Sequence, residues 1–215
     1  MGRARVSVPS WAVELVANDC ARYEVKTPRM QWWRDESLAG DITTDGSWRV
    51  VGSYEHAPYK CLTVCDVGDR VETKINLIHE LAHHIASQLE GADNHEPAFW
   101  KICWSLYFRH RIPLARAIYS EFSYLAGAEK VLREMGVRLK KEDEVAAALG
   151  AATRRQKWLS TQIRRLKARL EMTSRKREEK AIKGQVRKLR VRHKANGLLV
   201  AKTMRVYKRK VMKRK

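Results

Sequence analysis

The most regular hydrophobic pattern in the chain lies between residues 75 and 89. Its apolar positions recur every three or four residues, which is the spacing of one face of an α-helix. The stripe consists of Ile75, Ile78, Ala82, Ile85 and Leu89. No proline or glycine interrupts it, and Gly91 is placed to end it. The pattern therefore predicts a helix with one buried face that ends just before Gly91.

Stretches of alternating or β-branched residues predict strands before this helix. Strands are predicted over Glu24 to Trp33 and over Ser47 to Tyr54, with Asp45-Gly46 in a turn between them. Residues 60 to 66 alternate in the same way, and Gly68-Asp69 supplies a turn into the helix. We therefore expect a small sheet beside the helix.

Helical patterns occupy most of the remaining chain. A helix near the start is predicted from the spacing of Trp11, Val13, Leu15 and Val16. Later helices are predicted over residues 97 to 110, 114 to 135 and 141 to 149, the second ending near Gly136. A small sheet with helices beside it and after it makes the predicted fold class α+β.

The helix at residues 75 to 89 also carries two histidines at metal-binding spacing. Residues 79 to 83 read His-Glu-Leu-Ala-His, so His79 and His83 point in nearly the same direction from the helix. Both imidazoles can reach one zinc ion, and Glu80 lies beside them without needing to bind it. This arrangement is typical of zinc-dependent peptide hydrolysis, with the carboxylate as the catalytic base.

A catalytic zinc site needs a third protein ligand and an open position for water. His95 is the best candidate, because it follows the end of the helix at Gly91 and precedes Pro97, which suits the first turn of another helix. A chain that turns back at this point would bring His95 alongside the two helix histidines.

The other histidines are weaker candidates. His84 points about 100° away from His83 on the same helix. His110 shares a helical stripe with apolar residues, and we interpret it as a hydrogen-bonded histidine near the core. His56 and His193 are isolated in the sequence and are interpreted as ordinary surface residues.

These residues resemble a known group of enzymes. His-Glu-Leu-Ala-His, followed after a loop by His-Glu-Pro-Ala-Phe-Trp at residues 95 to 100, is similar to the SprT-like (Spartan-type) and WLM-related zinc metallopeptidases. Residues 51 to 54 and the predicted strand from Cys61 to Cys65 also resemble the hairpin that these families place before the metal helix. The resemblance covers roughly residues 45 to 110.

The resemblance implies a zincin-like core, a small sheet beside the metal helix, and activity as a zinc metalloendopeptidase. It implies that Zn²⁺ is bound by His79, His83 and His95 and that Glu80 is the catalytic base. The chain departs from the family pattern in two respects. Glu96 follows the third histidine where many relatives have glycine, and the paired-cysteine zinc ribbon of some relatives is absent.

Charge divides the chain into two parts. Residues 151 to 215 contain 25 Lys and Arg residues and 3 Asp and Glu residues, a net charge of +22, while the whole chain carries +20. Residues 1 to 150 therefore carry a net charge of −2. A dense set of cations on one segment is what binding to nucleic-acid phosphates requires.

The basic segment is amphipathic. One helical stripe comprises Leu159, Ile163, Leu166 and Leu170, and a second comprises Ile182, Val186 and Leu189. We interpret the segment as one or two basic helices, followed by a turn signal at Asn196-Gly197. DNA or RNA is the favoured partner, bound with little sequence preference because only Trp158 and Tyr207 offer rings for stacking. An anionic membrane surface, a protein partner and a merely solvated face are the alternatives.

The candidate nucleic-acid-binding residues are the cations that lie between and beside these two stripes. They are Arg154, Arg155, Lys157, Arg164, Arg165, Lys167, Arg169, Arg175, Lys176, Arg177, Arg187, Lys188, Arg190 and Arg192. Their contacts would be to phosphates, which carry no base information.

The predicted organisation has three parts. A zinc metallopeptidase-like domain occupies residues 1 to 138, a helical linker residues 139 to 153, and a basic nucleic-acid-binding tail residues 154 to 215, with the hinge at Leu149 to Thr153. The predicted function is hydrolysis of peptide bonds in nucleic-acid-associated proteins, which the tail would hold close to the peptidase. The alternatives are a nucleic-acid-binding or packaging protein with a structural or inactive zinc fold, and a protease that acts on a specific regulator.

The four cysteines and the first residues of the chain bear on its location. No secretory signal begins the sequence, so we expect reduced thiols in a cytoplasmic, nucleic-acid-associated protein that is not secreted. Cys61 and Cys65 are expected to be core residues, since four positions along a strand separate them by about 13 Å, too far to share one ion. No apolar run is long enough to cross a bilayer, so no transmembrane segment is predicted.

Overall fold

The structure is a computed structural model that describes residues 4–34, 52–55, 61–91, 95–122, 126–172 and 176–212. The predicted turn at Asp45-Gly46, most of the predicted strand from Ser47, His56 and Arg175 lie outside these residues. The described chain divides into two compact units. The first comprises Met1–Ala117 and Leu125–Arg138, and the second comprises Ile118–Tyr124 and Leu139–Lys215.

The first unit contains a four-stranded sheet, and its helices and strands together make the fold α+β, as predicted. The strands are β1 (Ala4–Val6), β2 (Arg29–Arg34), β3 (Gly52–Glu55) and β4 (Cys61–Asp66). Their order across the sheet is β1-β2-β4-β3. β2 and β4 are parallel, and the other two pairs are antiparallel. The carboxyl ends of β2 and β4 therefore meet at the same edge of the sheet.

The predicted strand from Glu24 to Trp33 begins too early. Glu24 has a left-handed backbone conformation with φ 55°, and the Val25 amide donates to Cys20 O, which closes the end of the preceding helix. Those hydrogen bonds use backbone groups that a strand would need, so pairing starts at Arg29. Trp32, in the middle of the strand, is buried.

Seven helices complete the described chain. They are α1 (Ser10–Arg22), α2 (Arg70–Glu90), α3 (Pro97–Arg109), α4 (Leu114–Phe122), α5 (Ala126–Glu134), α6 (Lys141–Glu171) and α7 (Lys176–Tyr207), the last continuing into a π-helical turn at Lys208–Met212. Of the helix predicted over residues 114 to 135, the described residues form α4 and α5, and residues 123–125 between them lie outside the described part of the chain. No helix in the described ranges is both long enough and apolar enough to span a lipid bilayer.

The predicted apolar stripe forms the buried face of α2. Ile75, Ile78, Ala82 and Ile85 are at most 1% exposed, whereas Leu89, in the last turn, is 50% exposed. This face packs against β4 on one side and α3 on the other. Tyr107 on α3 adds a hydrogen bond, donating its hydroxyl to Ile75 O at 3.3 Å.

The ends of α2 are closed as the sequence indicates. Asp69 is the N-cap, and its Oδ1 accepts from the amides of Val71 at 2.8 Å and Glu72 at 3.1 Å. Gly91 follows the last turn with φ 63°, a conformation that costs glycine little. Arg116 on α4 donates to Asp69 Oδ2 at 2.9 Å and to Glu72 Oε1 at 2.7 Å, which fixes the first turn of α2.

All four cysteines are buried, and none is in a disulfide. Cys61 and Cys65 lie in the core on β4, as predicted. Burial, with a smaller contribution from the Asp19 carboxylate, raises the pKa of Cys20 to about 11. The Cys20 thiol therefore stays protonated at neutral pH.

In the second unit, α6 packs against α7. Leu159 of the first predicted stripe and Ile182 and Val186 of the second are buried, and the other positions of both stripes are half-buried. The prediction of a hinge at Leu149 to Thr153 is wrong, because α6 runs through these residues without a break. Leu149, Ala152 and Thr153 are buried, and the Asn196 amide of α7 donates to Ala152 O at 2.9 Å, so packing stabilises the helix here.

The turn predicted at Asn196-Gly197 is also absent, since both residues lie inside α7. Asn196 donates to Gln156 Oε1 at 2.9 Å, and a Cβ on Gly197 would lie 3.4 Å from Gln156 Nε2. The pair therefore allows α7 to approach α6 closely. His193 is likewise not an isolated surface residue, because its Nε2 lies 2.8 Å from Gln156 Nε2 and 2.9 Å from Ser160 Oγ.

We predict that Asp69→Ala lowers the free energy of unfolding of the first unit by about 1–2 kcal/mol at pH 7, because α2 loses its N-cap. Asp69→Asn should lose less, since the amide oxygen still caps the helix. Urea unfolding followed by tryptophan fluorescence would measure both. The parent and both variants would also carry Trp158→Phe, so that the remaining tryptophans all lie in the first unit. Equal losses for the two variants would contradict a capping role.

The stabilisation by Asp69 should also fall in acid. Burial raises the pKa of its carboxyl, but hydrogen bonds from Arg116 and from the amides of Glu72 and Val71 lower the pKa by more. The net shift of the pKa is therefore downward. Such a group stabilises the fold above its unfolded pKa of about 4 and stops doing so as the pH falls through the folded value. The difference between Asp69→Ala and its parent should therefore shrink below about pH 4.

Candidate metal centre

Three histidines converge at the junction of α2 and α3. His79 and His83 project from consecutive turns of α2, and His95 lies just before α3. Nε2 of His95 is 3.1 Å from Nε2 of His79 and 3.1 Å from Nε2 of His83. All three side chains are half-buried. The structure therefore brings together the three histidines that the sequence singled out.

The spacing of the three nitrogens suits a metal ion. Imidazole nitrogens that bind one tetrahedral ion at about 2.0–2.1 Å lie about 3.3 Å from one another. A ring nitrogen carries either one N–H or one lone pair. Nε2 of His95 therefore cannot both donate to one histidine and accept from the other, whereas a cation between the rings would engage all three lone pairs.

Local structure explains how His95 reaches the cluster. α2 ends at Gly91, and Pro97 occupies the first turn of α3, where its missing N–H is not needed. The Trp100 amide donates to Glu96 O at 3.2 Å, which starts α3 immediately after His95. Because α3 begins at this point, His95 lies just before its first turn and faces the histidines of α2.

Two buried aromatic residues of α3 support the imidazoles. The Phe99 ring contacts all three, with centroid distances of 5.1 Å to His79, 4.2 Å to His83 and 4.8 Å to His95. Trp100 stacks on His95 at 5.5 Å. Both rings are fully buried. Sequence reasoning did not assign these roles, although Phe99 lies one helical turn after His95, and that spacing is a usable signal.

Gly127 on α5 closes this part of the site. A Cβ at Gly127 would lie 3.3 Å from Trp100 Nε1 and 4.0 Å from His95 O. The absence of a side chain allows α5 to approach the ring that supports His95. The indole of the neighbouring Trp104 donates to Ala128 O at 3.1 Å, which holds α5 against α3.

Glu80 is the one carboxylate on α2 that is both buried and adjacent to the cluster in sequence. It is only 9% exposed and follows His79 directly. A buried carboxylate is costly unless it has a partner, and Glu80 has one.

The two rival histidines lie elsewhere in the first unit. His84 is fully buried, and its Nε2 is 2.6 Å from Lys26 O. Nε2 of His110 is 2.5 Å from Oδ2 of the buried Asp19. The other oxygen of Asp19 forms an ion pair with Arg109 Nε at 3.0 Å. The interpretation of His110 as a hydrogen-bonded histidine near the core is confirmed.

The predicted nucleic-acid-binding cations are carried by α6 and α7. Eight are exposed and form no ion pair within the described part of the chain: Arg155, Arg164, Arg165, Lys167, Arg187, Lys188, Arg190 and Arg192. Arg154 and Lys157 are half-buried, and burial lowers the pKa of Lys157. Arg169 is paired with Glu178 at 2.6 Å. Lys176 and Arg177 lie on α7, but the positions of their side chains are not described.

The two aromatic residues of the basic segment differ in exposure. Trp158 is 55% exposed. Tyr207 is 1% exposed and lies against Tyr119, with ring centroids 5.0 Å apart. The expectation that both rings could stack on bases therefore fails for Tyr207.

We predict that His79→Ala, His83→Ala and His95→Ala each reduce bound transition metal to a small fraction of the parent value, because each removes one of three convergent ligands. Metal analysis of the purified chains, with circular dichroism to verify folding, would measure this. His84→Gln and His110→Gln are the controls and should keep their metal. Full occupancy in His95→Ala, together with loss in either control, would show that the third ligand is wrongly assigned.

Comparison with known proteins adds no further constraint. The chain matches no protein-family model, no curated protein and no solved structure. The chemistry open to this site is therefore inferred from its own side chains, which are three convergent imidazoles, an adjacent buried carboxylate and the aromatic rings behind them.

Proposed function

We propose that the protein is a zinc-dependent metallopeptidase of the SprT-like type, with a zincin-like core in its first unit. The observation that carries this proposal is the convergence of His79, His83 and His95 beside the buried Glu80. Three neutral nitrogen ligands and one open position are the donor set of catalytic zinc sites. A structural zinc site is usually closed by four protein ligands.

The fold around the site supports the same proposal. α2 lies against the sheet through β4 and against α3 through its other side, so the ligands are attached to packed elements rather than to a free loop. The rings of Phe99 and Trp100 restrict the rotation of the imidazoles. Such preorganisation matters because a small displacement of the reacting groups costs a large factor in rate.

The chain's own residues would divide the chemistry between them. Zn²⁺, when bound by the three histidines, supplies a Lewis acid that polarises a carbonyl and lowers the pKa of water. Glu80 accepts the proton of the attacking water and later donates it to the departing amine. His79, His83 and His95 remain neutral and hold their orientation throughout.

We propose further that the substrates are proteins associated with nucleic acid. Eight exposed cations of α6 and α7, which form no ion pair with any described residue, provide a surface for phosphates. A peptidase tethered to a nucleic acid meets the proteins on that strand at a raised effective concentration. In the competing function, a nucleic-acid-binding protein with a structural metal site, Glu80 would have no catalytic use.

We predict that Glu80→Gln retains its zinc and its fold but loses peptide hydrolysis by at least about a hundredfold, because an amide cannot accept the proton of the attacking water. Hydrolysis of unfolded casein, with and without DNA, would be measured beside the zinc content. The matched control is Glu90→Gln, an exposed carboxylate in the last turn of the same helix. Equal turnover by Glu80→Gln and the parent would remove Glu80 from the mechanism.

We predict that replacing Arg164, Arg165 and Lys167 by Gln weakens DNA and RNA binding and makes it less sensitive to salt. Each lost phosphate contact should reduce the slope of log affinity against log salt by about 0.9 on duplex DNA. Fluorescence anisotropy of labelled duplexes and single strands would measure both quantities. Replacing three exposed cations of the first unit, Lys101, Lys130 and Arg22, is the charge-matched control. An equal effect of the two replacements would contradict binding through α6.

A further inference from the structure

A second site lies in the first unit, away from the histidines. It is a cleft of about 360 Å³ at the edge where the parallel strands β2 and β4 end and α2 begins. Its walls are formed by Trp11, Arg34, Asp66, Gly68, Arg70 and Thr73. A volume of this size lies within the range of sites that hold small ligands or one unit of a polymer.

Two cations lie over the indole at the wall of this cleft. Arg70 Cζ is 5.2 Å and Lys74 Nζ is 5.6 Å from the centre of the Trp11 ring. The ring is itself held edge-on by the buried Trp32, with centroids 5.7 Å apart. Cation–π contacts position a charge without neutralising it. Both cations therefore keep their hydrogen-bond donors for a ligand.

The positive charge of the cleft is not cancelled by the residues that the structure describes. Among the described residues, Arg34, Arg70 and Lys74 form no ion pair with a carboxylate. Asp66 is the acid that lines the cleft, and its Oδ1 already accepts from the Gly68 amide at 2.9 Å and from Thr73 Oγ1 at 3.3 Å. Three cations and one carboxylate leave a net charge of about +2 at the site.

The adjacent acids of α2 are occupied elsewhere. Asp69 caps the helix and accepts from Arg116, and Glu72 accepts from the same guanidinium. The Arg116 guanidinium is thus engaged by the acids that begin α2, whereas Arg34 and Arg70 at the cleft form no ion pair with a described residue. Two arginines that form no ion pair with any described carboxylate lie beside a half-buried indole. This combination is suited to an anionic ligand with a planar group.

We propose that this cleft binds single-stranded nucleic acid, with Arg34, Arg70 and Lys74 contacting phosphates and Trp11 contacting a base. Guanidinium groups match phosphate oxygens in a two-pronged geometry, and indole rings stack on any base. A peptide made of acidic residues alone offers charge but no planar ring for Trp11. The site is on the unit that carries the histidines and is separate from the cations of α6 and α7.

The position of the cleft gives it a use. Arg70 and His79 are nine residues apart on α2, which corresponds to about 13–14 Å along the helix axis. A strand held at Arg70 would therefore keep a protein attached to that strand within reach of the three histidines. Binding itself does not depend on a metal or on hydrolysis, so the two proposals can fail independently.

The experiment is an NMR titration of the full-length chain labelled with ¹⁵N at the tryptophan indoles. The Trp11 signal is identified from a Trp11→Phe chain and reports on the cleft even while α6 and α7 bind nucleic acid. A short oligothymidylate should shift this signal with saturation, thymidine 5′-monophosphate should shift it with lower affinity, and poly-glutamate should not shift it. Inorganic phosphate alone should give a small change.

Arg70→Gln and Arg34→Gln should each weaken the oligothymidylate effect at Trp11 by about tenfold, since each removes a charge-assisted hydrogen bond. Arg22→Gln, an exposed change on α1 outside the cleft, should leave it unchanged. A Trp11 signal that does not respond to oligothymidylate, or that responds equally in Arg70→Gln and Arg22→Gln, would overturn the proposal. A stronger response to poly-glutamate would replace it with an acidic protein as the ligand.

Discussion

The burial of one face of α2 is the constraint on which the rest of the first unit depends. Ile75, Ile78 and Ile85 are removed from water between the sheet and α3, and burial of a large aliphatic side chain contributes about 1.5–3 kcal/mol. That burial fixes the rotation of the helix about its axis. His79 and His83 must then lie at the border of the buried face, where they are half-exposed and can meet a residue from the next segment.

The parts of the fold that follow from local spacing could be predicted from the sequence. α2, α3 and β4 have a clear period and clear ends, such as the proline that begins α3. The errors lie where partners distant in sequence decide the structure. Gly150 suggested a hinge and Asn196-Gly197 a turn, yet both lie within helices because α6 and α7 stabilise each other there. Contacts between residues so far apart in sequence cannot be predicted from the pattern of ten neighbouring residues.

The histidine cluster and the cleft also differ in how far the sequence could predict them. Two histidines of the cluster are four residues apart, and the third follows within the next loop, so local spacing could single them out. The cleft joins Trp11, Arg34 and Arg70, which belong to three separate elements. They meet because β2 runs parallel to β4, a pairing that the strand patterns did not specify. Sites that depend on strand order could not be predicted from one sequence.

The burial of all four cysteines has a practical consequence. A thiol reacts as its thiolate, and the raised pKa of Cys20 makes that form scarce at neutral pH. Cys61, Cys65 and Cys103 are shielded from reagents by the core around them. A cysteine introduced on the exposed surface would therefore react far faster than any native one. A spin label or fluorophore could be attached at a chosen position while every natural residue of the core is kept.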